Sequence, residues 1–212
     1  MVIAIPLYED FTALDAIGPN EVLAPLPGVT VRWLATVAGA VRSDSGGVEV
    51  VADGAYEDVP TPDVVVVPGG SGTQRALDDE RLLTWLRTAH ETSTWTTSVC
   101  TGSLLLAAAR LLDGIDATTH WMYREQLASL GAHPVPDRVV QRGKVVTAAG
   151  VSSGIDMALT LASRIAGDDV AQALQLAIEY DPEPPFDAGA PEKAPAHVVD
   201  LVRAAFGARA TA

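Results

Sequence analysis

Residues 95–112 read WTTSVCTGSLLLAAARLL, and the fold of the whole chain turns on how that stretch divides. Trp95 to Val99 is β-branched and aromatic, which suits a pleated, buried strand, whereas Leu104 to Leu112 is rich in Leu and Ala, which suits a helix. Cys100, the only cysteine in the chain, falls on the turn between them. A side chain at a strand-to-helix elbow projects at the carboxyl edge of a sheet, beside the unpaired N–H groups and the positive dipole end of the next helix. Both influences favour thiolate over thiol, so the position suits a nucleophile. The competing expectation is a small buried hydrophobe, the ordinary role of an unpaired cysteine.

Outward from this elbow, strands and helices alternate. Val2 to Leu7 reads as a central strand, and Val29 to Val37 as another after the Pro27-Gly28 turn, with Val48 to Val51 a short edge strand. Asp63 opens a run of four valines closed by Pro68-Gly69-Gly70, the pattern of a strand buried on both faces of a parallel sheet. Leu82, Leu83, Leu86 and Ala89 recur at helical spacing within Asp79 to Thr92. Met122 to Leu130 reads as a short helix closed by Gly131, and Val139 to Val140 and Lys144 to Thr147 as strands around Arg142-Gly143. Two amphipathic helices follow, Ser153 to Ala166 and Val170 to Glu179. The pattern predicts an α/β fold, a three-layer α/β/α sandwich with a mostly parallel sheet.

At 212 residues and 48% hydrophobic content the chain suffices for one well-buried core, and a single domain is expected. Residues 181–212 differ in texture: five prolines lie between Asp181 and Pro195, followed by a short amphipathic stretch from Val198 to Phe206. A surface wrap or flexible terminus, and an arm packing over the subunit or its dimer partner with Phe186 as apolar anchor, are equal readings of that segment. The net charge of −13, from 14 Lys and Arg against 27 Asp and Glu, repels polyanions, so no nucleic-acid partner is expected. Apolar runs fall far short of the ~20 residues that cross a bilayer. One cysteine excludes an internal disulfide framework, and no apolar leader is read at the start, so a cytoplasmic location is expected.

Three segments converge on the carboxyl edge of the predicted sheet: Leu14 to Pro19, Pro68 to Gly72, and Cys100 to Gly102. Ligands of open α/β sheets bind along this edge. Gly69, Gly70 and the Thr101 amide are candidates to hold developing negative charge, although a tight turn accounts for the glycines equally well. Asp15 reads either as the N-cap of a helix over Ala16 to Ala24, with Pro19 in its first turn, or as a carboxyl that moves a proton beside the thiol. His120, within Ala-Thr-Thr-His-Trp, is the one histidine in an apolar-aromatic setting, and a core or supporting role suits it; His90, His133 and His197 read as surface residues. No histidine pair has metal-ligand spacing, so no metal is expected.

Taken together, PGG, SVCTGSLLLAAARLLDG, ATTHW and AAGVSSGIDMAL, in that order over nearly the whole chain, resemble the ThiJ/PfpI superfamily of glutamine-amidotransferase-like, flavodoxin-like folds. LDAIGPNEVL and the tail LAIEYDPEPPFDAGAPEKAP are similar to its isocyanide hydratase branch. The resemblance implies Cys100 as nucleophile, Asp15 as the acid facing it and Thr101 orienting Asp15 or water. In the implied reaction the Gly70 and Thr101 amides hold accumulating charge and no cofactor is required; His120, Trp121 and Val151 are placed along the pocket by neighbourhood alone, and a homodimer is expected from the resemblance. Thr101 departs from protease-like members, which carry histidine there, and a helix-turn-helix extension is not expected. The implied reaction hydrates an isocyanide to an N-substituted formamide through a thioimidate on Cys100. The alternatives are glyoxalase-like or amidase activity on small carbonyl compounds, or a non-catalytic oxidative-stress sensor built on Cys100.

Overall fold

Four consecutive valines, Val64–Val67, form a strand buried on both faces, and the sheet grows outward from it. The computed structural model describes residues 1–209. In chain order the elements are β1 (Val2–Pro6), α1 (Ala13–Leu23), β2 (Thr30–Ala35), β3 (Gly39–Arg42), β4 (Glu49–Ala52), β5 (Gly54–Ala55) and β6 (Val64–Val67). Next come α2 (Thr73–Ala76), α3 (Glu80–Thr92), β7 (Trp95–Val99), α4 (Gly102–Ala108), β8 (Asp116–Ala117), α5 (Arg124–Ser129) and β9 (His133–Pro134). The order closes with β10 (Val139–Arg142), β11 (Val145–Ala148), α6 (Ser153–Ala166), α7 (Asp168–Ala177) and α8 (Ala196–Arg209). Two units are distinguished, Met1–Ile178 and a second beginning at Glu179 that holds the proline-rich segment and α8.

Within the first unit a seven-stranded sheet runs β10-β11-β7-β6-β1-β2-β5. Every pairing in it is parallel except that of β10 with β11, a hairpin around Gly143. The sheet is therefore mostly parallel and flanked by helices, as the alternating pattern predicts. α1 packs on α6, which also meets β7, β10 and β11, while α4 covers β6 and β7 with α2, α3 and α5 against it. Chain direction across the sheet reverses beside β1, since β2 lies on one side of it and β6 on the other. That is the switch point at which the ends of β1 and β6 open a crevice.

Helix α3 shows how the pattern becomes structure. Asp79 caps it by accepting from the amides of Arg81 and Leu82, at 3.0 and 3.1 Å. Leu82, Leu83, Leu86 and Ala89 are buried, each leucine worth at most about 2–3 kcal/mol of apolar burial. Trp85 joins them because its indole N–H donates to the Val59 carbonyl at 2.9 Å and its ring stacks on Tyr56.

Four expectations are corrected. The strand expected at Val48 to Val51 is not an edge of the main sheet; β4 pairs with β3 in a separate hairpin. Helix α4 stops at Ala108 rather than Leu112, because Arg110 turns left-handed (φ 66°) and the amides of Arg110 and Leu111 close back on Ala107 and Leu106. Helix α1 begins at Ala13 with Thr12 as its N-cap, so Asp15 is not a cap and Pro19 lies beyond the first turn. His90 is half-buried rather than on the surface, its Nδ1 bonded to the Thr96 hydroxyl at 2.8 Å.

Candidate active site

Cys100 sits where β7 ends, with φ of 57°, a left-handed conformation that a non-glycine residue adopts only when its surroundings compel it. The surroundings are specific. The Cys100 amide donates to the carbonyls of Ala148 and Ala149 at 3.1 and 2.9 Å, which ties the elbow to the end of β11. The Cys100 carbonyl accepts from the hydroxyls of Ser103 and Thr119, at 3.1 and 3.0 Å. Gly102 then lets α4 begin directly on the end of β6, since a Cβ there would lie 2.2 Å from the Val67 carbonyl oxygen and 2.8 Å from that of Pro68. Gly102→Ala is accordingly expected to destabilise the protein by about 3 kcal/mol, or roughly 6–12 °C in Tm, because backbone on both sides must yield. Scanning calorimetry checks this; an unchanged Tm would refute it.

The carboxyl of Asp15 reaches the elbow from the first turn of α1 and is fully buried. Its Oδ2 accepts from the Gly69 amide at 2.9 Å, while Oδ1 is buried without a hydrogen-bond partner of normal geometry. Burial raises the Asp15 pKa from 3.8 to about 7, opposed by the Gly69 amide, reinforced by the charge of Asp44 and opposed again by the Cys100 side chain. The same burial pushes the Cys100 thiol well up, and the negative charge of Asp15 pushes it further. Amides of Val151 and Thr101, with the Thr101 hydroxyl, act in the other direction and are outweighed. The expectation that the elbow alone favours thiolate is thereby corrected: a short helix end cannot offset the desolvation of a buried sulfur facing a carboxyl.

The two glycines have different work from that expected of them. The Gly69 amide is taken by Asp15 and the Gly70 amide by the Thr101 hydroxyl, at 3.0 Å, so neither is left to hold charge on a bound molecule. A Cβ on Gly69 would come within 2.5 Å of the Thr101 amide and hydroxyl and 3.0 Å of the Asp15 carboxylate, and one on Gly70 within 2.3 Å of the Asp10 carbonyl. The amides that face the sulfur are those of Thr101 and Val151. Val151, at φ 31°, is a second strained non-glycine residue beside the first.

His120, Trp121 and Tyr123 form an aromatic cluster on the segment that follows Thr119. The Thr119 hydroxyl bond to the Cys100 carbonyl anchors the segment. His120 lies 5.7 Å from Trp121 and 6.0 Å from Tyr123 between ring centroids, and its ring rests on Gly150, where a Cβ would come within 2.7 Å of it. The His120 Nδ1 accepts from the Met122 amide at 3.4 Å, and burial together with the Arg124 charge holds this imidazole below its usual range, hence neutral. Sequence reasoning missed Tyr123, whose phenol is raised by burial and by Cys100, and the buried hydroxyls of Tyr8 and Thr73. The available signal was modest: Tyr8 and Thr73 each follow a strand ending at the same sheet edge as Cys100.

Residues 1–164 match the DJ-1/PfpI family. The chain is 47% identical over 197 residues to the isonitrile hydratase of Pseudomonas putida, covering 93% of this chain and 86% of that one. Against the glutathione-independent glyoxalase DJR-1.2 of Caenorhabditis elegans the identity is 23% over 168 residues, 78% of this chain and 89% of that one. Among solved structures, a ThiJ/PfpI family protein from Pseudomonas syringae superposes with a TM-score of 0.92 at 36% identity, covering 95% of this chain and 84% of that one.

Proposed function

The chain belongs to the DJ-1/PfpI family, and within that family we propose that it hydrates isocyanides (isonitriles) to N-substituted formamides. The observation that carries this is the 47% identity over 93% of the chain to an isonitrile hydratase, twice the identity to the glyoxalase relative. The paired Cys100 and Asp15 supply the chemistry that such a reaction requires.

In the proposed sequence of steps, the Asp15 carboxylate takes the Cys100 proton as the sulfur attacks the terminal carbon of R–N≡C. The same proton passes to that carbon, giving the thioimidate R–N=CH–S–Cys100. A carboxyl with a pKa of about 7 populates both forms near neutrality, so it can accept and return this proton in one cycle. Water next adds to the carbon, its proton reaching the nitrogen by way of Asp15. The C–S bond then breaks, R–NH–CHO departs, and the sulfur recovers a proton. One water is consumed and no electrons are exchanged.

The amides of Thr101 and Val151 face the sulfur and stabilise its charge, while the amides of Gly69 and Gly70 hold Asp15 and Thr101 in place. His120 and Trp121 line the approach with a neutral, largely apolar surface suited to an uncharged substrate. The same reading makes the enzyme a cytoplasmic homodimer, on its likeness to the family and on a free thiol that a reducing compartment preserves.

The test is turnover of a small aromatic isocyanide in water enriched in oxygen-18. The expected result is loss of the isocyanide ultraviolet signal matched by a formamide carrying the heavy oxygen. A formamide without label, or none, would overturn the proposal.

A further inference from the structure

Arg138, the residue before β10, reaches both ends of the turn that runs from Ala149 to Ser152 between β11 and α6. Its main-chain carbonyl accepts from the Ala149 amide at 2.9 Å. Its guanidinium Nη2 donates to the Ser152 hydroxyl at 3.2 Å, and its Nε pairs with the Asp156 carboxylate in the first turn of α6. Between these ties lie Val151, left-handed at φ 31°, and the Ala149 carbonyl, which accepts from the Cys100 amide at 2.9 Å.

Ser152 stands at the N-cap of α6, where a serine hydroxyl ordinarily accepts from an amide of the first turn. Here it caps nothing, because its backbone is already helical (φ −65°, ψ −19°), and its hydroxyl accepts from Arg138 instead. The amides of Ser153, Gly154 and Ile155 close on the turn itself, donating to the carbonyls of Gly150, Val151 and Ser152, each at 3.2 Å. Bonds within a turn follow it wherever it goes. A valine at positive φ persists only when groups from other elements over-determine its place, and Arg138 supplies one such tie at each end.

We propose that Arg138 is a positioning residue for the Cys100 elbow: by bonding Ala149 at one end and Ser152 and Asp156 at the other, it holds the 149–152 turn in the strained form that receives the Cys100 amide. Arginine suits the task because its planar fork donates in two directions at once. The side chain is half exposed, so its ion pair adds little to global stability and its effect is local. Without the fork the turn relaxes toward ordinary backbone angles. Cys100, whose own left-handed backbone is tied to that turn through its amide, shifts with it. A small displacement of a nucleophile slows the chemical step more than it weakens binding.

The effect on rate rests on the reaction proposed above, but the anchoring is read without any isocyanide, by residue-resolved amide hydrogen exchange on the full chain. In Arg138→Ala the amides of Ala149, Ser153 and Gly154 should exchange at least about 10-fold faster, while those of β1 and β6 stay within about twofold of the parent. The Tm should move by no more than about 3 °C. In isocyanide hydration kcat should fall about 10- to 50-fold with KM within about twofold. Arg142→Ala, which removes another guanidinium of the same hairpin, one paired with Asp116, should match the parent in every readout.

Unchanged exchange in the turn, or faster exchange with unchanged kcat, would overturn the inference. So would uniformly faster exchange across the sheet, the mark of a merely structural role, or equal loosening in Arg142→Ala. Should Arg138→Ala fail to fold, Ser152→Ala, which lacks a single oxygen, decides by the same readouts. A parent that hydrates no isocyanide would sink the proposed function, and the exchange comparison would then decide the anchoring alone.

Discussion

Cys100→Ala is expected to remove isocyanide hydration, lowering kcat/KM on the order of 10⁴-fold or more, while leaving the protein folded. The loss is large because the proposed route passes through a bond to sulfur, and no other described side chain at the elbow is a thiol. The fold survives because the elbow is held by main-chain groups. The Cys100 amide and carbonyl keep all four of their bonds when the side chain shortens to a methyl group. Loss of one buried sulfur costs about 1 kcal/mol. Cys100→Ser is a harder comparison, since it keeps shape and polarity; it too should be inactive, because a buried hydroxyl ionises far less readily than a thiol. Formamide release measured alongside Tm checks both. Turnover above one part in a hundred in Cys100→Ala, with a native Tm, would refute a covalent route through this residue.

Asp15→Asn is expected to act in opposite directions on rate and on stability. The rate should fall about 10²- to 10⁴-fold, because the amide neither takes the thiol proton nor returns it to the substrate carbon. Stability at pH 8 should rise. In the unfolded chain the Asp15 carboxyl ionises near its ordinary value of 3.8, and in the folded chain at about 7. Between those values the folded protein holds a proton that the unfolded chain has released, so stability declines as pH rises through the window and levels off above it. The full penalty is up to about 4 kcal/mol, from ~1.4 kcal/mol per pH unit. Asparagine is neutral throughout and still accepts from the Gly69 amide. Chemical denaturation from pH 4 to 8 should therefore show a falling stability in the parent and a flatter line in Asp15→Asn. Parallel lines would mean that Asp15 is ionised in the folded state at low pH and is not the proton carrier described above.

A group that weakens the fold at the working pH and is nonetheless fully buried beside the nucleophile is a recognisable cost of function. Strain at Cys100 and Val151 belongs to the same account, since both residues adopt left-handed backbone where their neighbours hold them.

What the sequence determined by itself was whatever local pattern determines. The valine run with its glycine pair, the change of composition at Cys100, the Arg142-Gly143 hairpin and the helical spacing from Ser153 to Ala166 each depend on neighbours within a few residues, and each was legible. From them followed a mostly parallel sheet, an elbow at its carboxyl edge, and the grouping of Asp15, Gly69, Gly70, Cys100 and Thr101 along that edge. Tertiary structure decided the rest. Hydrogen-bond assignment depends on which groups meet across long stretches of chain, so only the fold could give the Gly69 amide to Asp15, the Gly70 amide to Thr101, and the Tyr8 hydroxyl to Thr73. Ionisation depends on how deeply a group is withdrawn from water, and that depth is a property of packing. The reversal of Cys100 from an expected thiolate to a thiol held by burial and Asp15 is therefore the clearest instance of what three dimensions add to a string of residues.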